Sequence, residues 1–258
     1  MDHPDSVGNS YHDGMSSPHA DIDWQESIPG EGSPGSLLKM QWRNLLFMHW
    51  RVDAQVMKSL LPQGLQLDTF DGCAWVGLIP FTMDRTRPRG IPPLPGVSRF
   101  HECNVRTYVL HDGIPGVWFF SLDAASRLAV MGGRGLWKLN YIHASFDVTK
   151  KENTTDYALR RSDGTTSRIS WTTGDALPRS ESGSLRHFLT ERYCLYSAKS
   201  GKIWRGAIHH KQWKLREARV NALEDHLVSK AGIEVEGMPT CMAADDVDVR
   251  GWALKRVR

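Results

Sequence analysis

The chain has 258 residues, 40% of them apolar or aromatic and 24% charged, with 32 basic and 29 acidic side chains. That length predicts one or two domains with a core of ordinary size. No apolar run nears the roughly 18 residues of a membrane-spanning helix, and the first residues are acidic with no apolar stretch. The expectation is a soluble, cytoplasmic protein with no membrane partner.

Charge is unevenly spread. Residues 1–40 hold seven acids and one base, Lys39, for a net −6; the rest holds 31 bases and 22 acids, for a net +9. The bases are scattered, and the densest groups (Arg85, Arg87, Arg89 and Lys255, Arg256, Arg258) sit in a Pro-rich stretch and at the end. No basic face marks a nucleic-acid partner. Cys73, Cys103, Cys194 and Cys241 stand far apart, with no metal-ligand spacing, so free thiols and no metal are expected.

Residues 1–36 are rich in Ser, Gly, Pro and Asp and read as a disordered acidic tail; residues 37–258 read as one domain. Gln41–Val52 reads as a strand, and Asp53 stands as N-cap to the short helix AQVMKSLLP. LQLDTF and CAWVGLIPF flank Asp71-Gly72, which predicts a hairpin with a type I′ turn. Residues 84–98, with TRPRGIPPLPG, predict a loop.

Phe100–Leu110 and Val117–Leu122 predict a second hairpin. Asp123 then caps a helix over AASRLAVMGGRG, ended by its glycines. Strands follow at Leu139–Val148, Tyr157–Arg161 and Arg168–Thr172, then a short helix at Leu185–Thr190. Arg192–Tyr196, Ile203–His209, Trp213–Val220 and Val247–Val257 complete the set. About ten strands with a few short helices predict a mainly β body, a barrel or a sandwich.

The strand FHECNVRTYVL carries the most chemistry. Alternation puts Phe100, Glu102, Asn104, Arg106, Tyr108 and Leu110 on one face and the more apolar His101, Cys103, Val105, Thr107 and Val109 on the other. On a two-sided sheet the polar row faces solvent. In a barrel it faces a cavity, where a buried Glu and Arg would orient a small polar ligand. GGRGLWKLNYIHASF adds Arg134, Lys138, Asn140, Tyr141 and His143. A Schiff-base lysine needs desolvation or a neighbouring cation, and Lys138 between Trp137 and Leu139 reads rather as exposed. His209 and His210 are adjacent and point to opposite faces, so they make poor co-ligands. No GxSxG or phosphate-loop pattern is present.

These segments, in the order WVGLIPF, FHECNVRTYV, GRGLWKLNYIHASF, FLTERYCLYS and AIHHKQW, resemble the YqjF-like bacterial family, a domain of unknown function (number 2071). The likeness runs from about Gln41 to Val257, and that family is similar to the acetoacetate decarboxylase-like superfamily. The resemblance implies a closed, cone-like antiparallel β-barrel with an internal cavity. It implies that Glu102 stands where the decarboxylases carry a cavity glutamate, with Arg51 and Arg134 near their arginines. The decarboxylases' two adjacent lysines correspond to Tyr141 and Ile142, and Lys138 lies three residues early without a lysine partner. Decarboxylation through that lysine pair is therefore not expected.

The sequence thus predicts a barrel that binds a small carboxylate or carbonyl compound, with no metal and no nucleotide cofactor. Glu102, Arg106 and Tyr141 are the leading polar contacts, and Asn104, Arg51, Arg134 and His143 stand behind them. Two alternatives stay open: a lyase- or hydratase-type enzyme with Glu102 as base and Tyr141 as acid, and a structural or partner-binding protein whose cavity is incidental. Related barrels often assemble, which leaves a homo-oligomer open.

Overall fold

A computed structural model describes residues 28–30 and 32–257. The expected acidic tail therefore lies outside the described residues up to position 27. From Ile28 onward the chain is already packed. Ile28 is buried with Val109, Cys194, Tyr196 and Ile203, and Pro34 O accepts from Trp252 Nε1 at 2.9 Å.

The architecture is one sheet that closes in a ring in two directions from a shared wall. That wall is three antiparallel strands: β4 (Ala74–Pro88), β5 (Phe100–His111) and β6 (Ile114–Ala124). Each outer strand of the wall gives its free edge to two partners. The first half of β4 pairs β2 (Leu45–Val52), and its far end pairs β1 (Leu38–Arg43). The middle of β6 pairs β10 (Cys194–Lys199), and its end pairs β7 (Tyr141–Lys151), both parallel.

One ring runs from β1 through β14 (Val247–Gly251), β11 (Lys202–His210) and β10 back to the wall. The other runs from β7 through β8 (Thr154–Arg161), β9 (Thr166–Ala176), β12 (Leu215–Asp225), β13 (Thr240–Ala244) and β2. β3 (Gln66–Leu67) extends the wall on β5, and β15 (Lys255–Arg256) pairs β11. The expected mainly β, closed architecture is present; the two parallel pairings on β6 correct its description as antiparallel throughout.

Two apolar clusters fill the rings, and the period of two divides the wall between them. On β2, Leu45 and Phe47 join one cluster while Leu46, Met48, Trp50 and Val52 join the other. On β4, Trp75, Ile79, Phe81 and Met83 face the first and Val76 and Leu78 the second. Strands covered on both faces read as near-continuous apolar runs, as LLFMHW and AWVGLIPF do.

Four short helices close the gaps. Asp53 caps α1 (Ala54–Ser59), accepting from Gln55 N and Val56 N, as expected. Ser184 caps α3 (Leu185–Thr190). α4 (Leu227–Lys230) follows β12 and, like β13, has no counterpart in the sequence reading. The cap of α2 (Arg127–Leu136) is Ser126, not Asp123. Asp123 is fully buried instead, accepting from Arg161 Nη2 at 2.7 Å, while Ser121 Oγ accepts from the same guanidinium at 2.9 Å. The glycines expected to end α2 lie inside it, because Gly133 packs against the Tyr141 ring with no room for a Cβ.

Other expectations shift for reasons of long-range pairing. Asp71 and Gly72 both adopt positive φ, 51° and 71°, as a type I′ turn requires. Only Phe70 and Cys73 bridge across it, however, and β3 pairs β5 rather than β4. The expected strand over residues 41–52 breaks at Asn44, whose φ is 49°, into β1 and β2. The first third of the loop expected at residues 84–98 is strand, because β1 pairs β4 as far as Pro88.

The Asp123–Arg161 pair yields a stability prediction. Asp123→Ala leaves a buried guanidinium unpaired and lowers unfolding free energy by about 3–5 kcal/mol. Arg168→Ala, which removes an exposed pair with Glu224, changes it by less than about 1 kcal/mol. Urea unfolding of both variants checks the contrast, and a small loss in Asp123→Ala contradicts it.

Candidate functional site

The first ring encloses a cavity of about 240 Å³. Its walls are mostly hydrocarbon and aromatic, from β1, β2, β4, β6, β10, β11 and α2. β5 supplies the polar exception. Cys103 and Val105 belong to the second cluster, and Thr107 Oγ1 donates to Trp75 O at 2.8 Å. Alternation therefore turns Glu102, Asn104 and Arg106 into the cavity.

Glu102 is 2% exposed and accepts a hydrogen bond from Tyr141 Oη at 3.0 Å. Burial raises its pKa to about 8; the Tyr141 bond opposes this and the Asp123 charge adds to it. At neutral pH the carboxyl is mainly protonated. Burial and the neighbouring Glu102 push Tyr141 well above the ordinary phenol range, so its proton stays in place. Tyr141 stands at the first position of β7, held by its ring on Gly133 and by Arg134 Nε, which donates to Tyr141 O at 2.7 Å.

Asn104 is buried, and its side-chain oxygen has no hydrogen-bond partner. Arg106 is half-buried. Its Nη2 donates to Leu189 O at 3.0 Å and more weakly to Tyr108 Oη at 3.5 Å, while its buried Nε donates to nothing. The guanidinium lies 5.4 Å from the Phe47 ring centroid and 5.7 Å from that of Tyr108. Among the described residues no carboxylate pairs with it. Arg192 also lines the cavity but is balanced, donating to Asp68 Oδ2 at 2.7 Å and lying 4.4 Å from the Phe188 centroid.

Two histidines complete this end. His49 Nε2 lies 2.7 Å from Tyr108 Oη, which is also 2.6 Å from Leu189 O. Burial, then the Arg106 charge, lowers His49 well below its ordinary value, so the ring is neutral. With the tyrosine proton on Leu189 O, His49 Nε2–H is the donor to Tyr108. His210 lines the cavity, donates from Nδ1 to Lys211 O at 2.9 Å, and is lowered by burial to about 4.

The cavity thus gathers Glu102, Asn104, Arg106 and Tyr141 from the sequence expectations. It leaves out three others. Arg51 shares the period of Phe47 on β2 but lies past the end of the ring, exposed, over Trp75 at 5.3 Å. Arg134 is on the exposed side of α2. His143 shares Tyr141's period but comes where β7 has passed the cavity. Lys138 lies over Trp204 at 4.2 Å, and no lysine lines the cavity among the described residues.

His49, Tyr108, Arg192 and His210 were not picked out as site residues. The His209-His210 pair did carry a signal, since alternation places one of two adjacent histidines inside; Arg192 carried none. The four cysteines are free; burial pushes Cys194 and Cys241 up to about 12 and Cys103 well above its ordinary value, so these three are thiols, not thiolates. No cluster with the makings of a metal site occurs among the described residues.

Glu102 predicts a pH effect on stability. Its folded pKa, about 8, exceeds the ordinary 4.5, so the folded chain keeps a proton that the unfolded chain releases. Stability is full below about pH 4.5 and falls as pH rises to about 8. Glu102→Gln removes that loss, so its stability relative to the natural chain rises by about 2–5 kcal/mol between pH 5 and pH 8.5. Urea unfolding at both pH values measures it; an unchanged difference contradicts a neutral buried carboxyl.

Comparison with known proteins follows the geometry. The DUF2071 family, described as an uncharacterized conserved protein, matches residues 39–248. The uncharacterized protein YqjF of Bacillus subtilis (strain 168) is 35% identical over 223 residues, 85% of this chain and 92% of that one. Acetoacetate decarboxylase from Legionella pneumophila has a similar fold, with a TM-score of 0.60 at 13% identity, covering 87% of this chain and 88% of its own. So has an acetoacetate decarboxylase-like enzyme from Sphingomonas wittichii RW1, with a TM-score of 0.62 at 13% identity and coverages of 86% and 93%. The enduracididine biosynthesis enzyme MppR, complexed with the condensation product of pyruvate and imidazole 4-carboxaldehyde, gives 0.63 at 11% identity, with coverages of 86% and 89%. These structures are alike in fold, while the family match and the relationship to YqjF identify the chain itself as a member of the DUF2071 family.

Proposed function

We propose that the cavity binds a small organic acid or carbonyl compound, without the Schiff-base lysine chemistry of the decarboxylases. The observation that carries this is Arg106: a half-buried guanidinium facing an apolar cavity, with a buried Nε that lacks an acceptor and, among the described residues, no carboxylate to balance it. A buried unpaired charge is costly, and an anion supplied from outside offsets that cost. Asn104, two residues away on the same face, adds a second unpaired polar group. Neutral Glu102, with one oxygen engaged by Tyr141, has the other left to donate to a carbonyl or carboxylate oxygen. MppR, which has a similar fold, has been solved in complex with pyruvate, a compound of this class. The resemblance to the decarboxylases implies that Tyr141 and Ile142 stand where those enzymes carry their lysines.

One observation favours a second reading, a lyase- or hydratase-type enzyme with Glu102 as base and Tyr141 as acid. The Glu102 pKa, at about 8, lies close to working pH, where a general base transfers protons efficiently.

Thermal unfolding with 2-oxo acids, β-keto acids and simple carboxylates tests the binding reading. A ligand at about 100 times its dissociation constant adds roughly 2.7 kcal/mol of stability. For this chain length that raises the midpoint by roughly 5–10 °C. The shift is expected in the natural chain and in Glu102→Gln, and is lost in Arg106→Met. No shift with any acid, or an equal shift in Arg106→Met, rejects Arg106 as the anchor and favours a partner-binding protein with an incidental cavity.

Turnover, in the second reading, rises with pH through about 8 as Glu102 ionises, and Glu102→Gln abolishes it while binding persists. A pH–rate profile that is flat across this range removes Glu102 as the base.

A further inference from the structure

We infer that the acid taken by this cavity is a monocarboxylate with an apolar body of about five to seven carbon atoms, alkyl or aryl, rather than a short polar keto acid. The inference rests on Arg106 as the anion's anchor and concerns what the rest of the cavity accepts.

The unbalanced charge of the cavity stands at one end of it, and most of the remaining wall is hydrocarbon. Arg106 stands at the end marked by Thr190, Arg192 and His210. Glu102 lies four residues back along β5, roughly 13 Å by strand rise. Around Glu102 and beyond it the walls include Phe81, Met83 and Phe100, Phe119 stands opposite Arg106 across β5 and β6, and Leu136, Trp137 and Leu139 add apolar wall from α2 and the segment after it. Leu136 lines the cavity and is also 75% exposed, so the cavity meets solvent at the C-terminal end of α2. An acid with its carboxylate on Arg106 lays its body against these apolar walls.

Size sets the length of that body. An apolar cavity of about 150 Å³ holds benzene, about 25 Å³ per carbon atom, so 240 Å³ holds about nine non-hydrogen atoms. Hexanoate and benzoate match that volume. Acetate and pyruvate leave aromatic and aliphatic walls facing a void or trapped water, which forfeits contacts. At neutral pH Glu102 is mainly protonated and Tyr141 keeps its proton, so no charge on either opposes a hydrocarbon chain. Each buried methylene is worth about 0.8 kcal/mol, or about fourfold in affinity.

Calorimetric titration of the full chain at neutral pH with acetate, pyruvate, butyrate, hexanoate, benzoate and dodecanoate tests the inference. Affinity is expected to rise by on the order of 100-fold from acetate to hexanoate, to be comparable for benzoate, and to fall for dodecanoate. Leu136→Gln, at an exposed position that leaves the fold intact, should weaken hexanoate severalfold and leave acetate unchanged. Acetate or pyruvate binding as tightly as hexanoate overturns the inference and leaves the anchor standing. Chain-length dependence that persists undiminished in Arg106→Met means apolar adsorption and overturns it too. Binding of no carboxylate at all rejects the anchor itself, and the inference with it.

Discussion

Strand β5 is covered on both faces. It is the middle strand of a wall shared by two rings, so its two sets of side chains meet two separate apolar clusters. Polar groups in such a strand cannot reach solvent by bending outward. They must be satisfied inside, and an unsatisfied buried group costs about 1–3 kcal/mol. Glu102 meets the requirement by taking up a proton and accepting from Tyr141. Asn104 and Arg106 meet it only in part. The same closure that makes the wall rigid therefore concentrates unsatisfied polarity at one place in the molecule.

Three buried or half-buried guanidiniums show what a satisfied charge looks like in this fold. Arg161 is closed by Asp123 and Ser121. Arg192 is closed by Asp68 and lies over aromatic rings. Arg106 has the rings and a backbone carbonyl but no carboxylate. The first two hold strands and helices in register, since Asp123 joins β6 to β8 and Arg192 ties the end of α3 back to Asp68. Arg106 differs by facing open volume, and there an incoming anion can do what a resident carboxylate does elsewhere.

The period of two on FHECNVRTYVL was legible in the sequence, but which of its faces meets a core was not. The apolar set suggested one core, whereas the double ring supplies two, and composition alone does not reveal a second layer. Arg51 and His143 illustrate the same limit in another direction. Each shares a strand face with a cavity residue, yet alternation says nothing about where along its length a strand leaves the cavity. Local chemistry was read well where it is short-range: the Asp53 cap and the positive φ values at Asp71 and Gly72. It failed where a distant partner decides. Asp123 was a good cap by type, but Arg161, 38 residues on, takes it. The start of the Pro-rich stretch became strand because β1, far upstream, pairs with it as far as Pro88.

The protonation states of the cavity carry the functional reading one step further. At neutral pH Glu102 is mainly uncharged, Tyr141 and Tyr108 keep their protons, and His49 and His210 are neutral through burial. Arg192 is balanced by Asp68, while guanidinium groups do not deprotonate in proteins. The cavity therefore presents one unbalanced positive charge on Arg106, surrounded by neutral groups and hydrocarbon. In the proposed binding role, such a cavity opposes a cation and favours an anion whose remainder is apolar. Ionisation of Glu102 above about pH 8 adds a negative charge on the same face of β5, so it weakens the preference for anions from within.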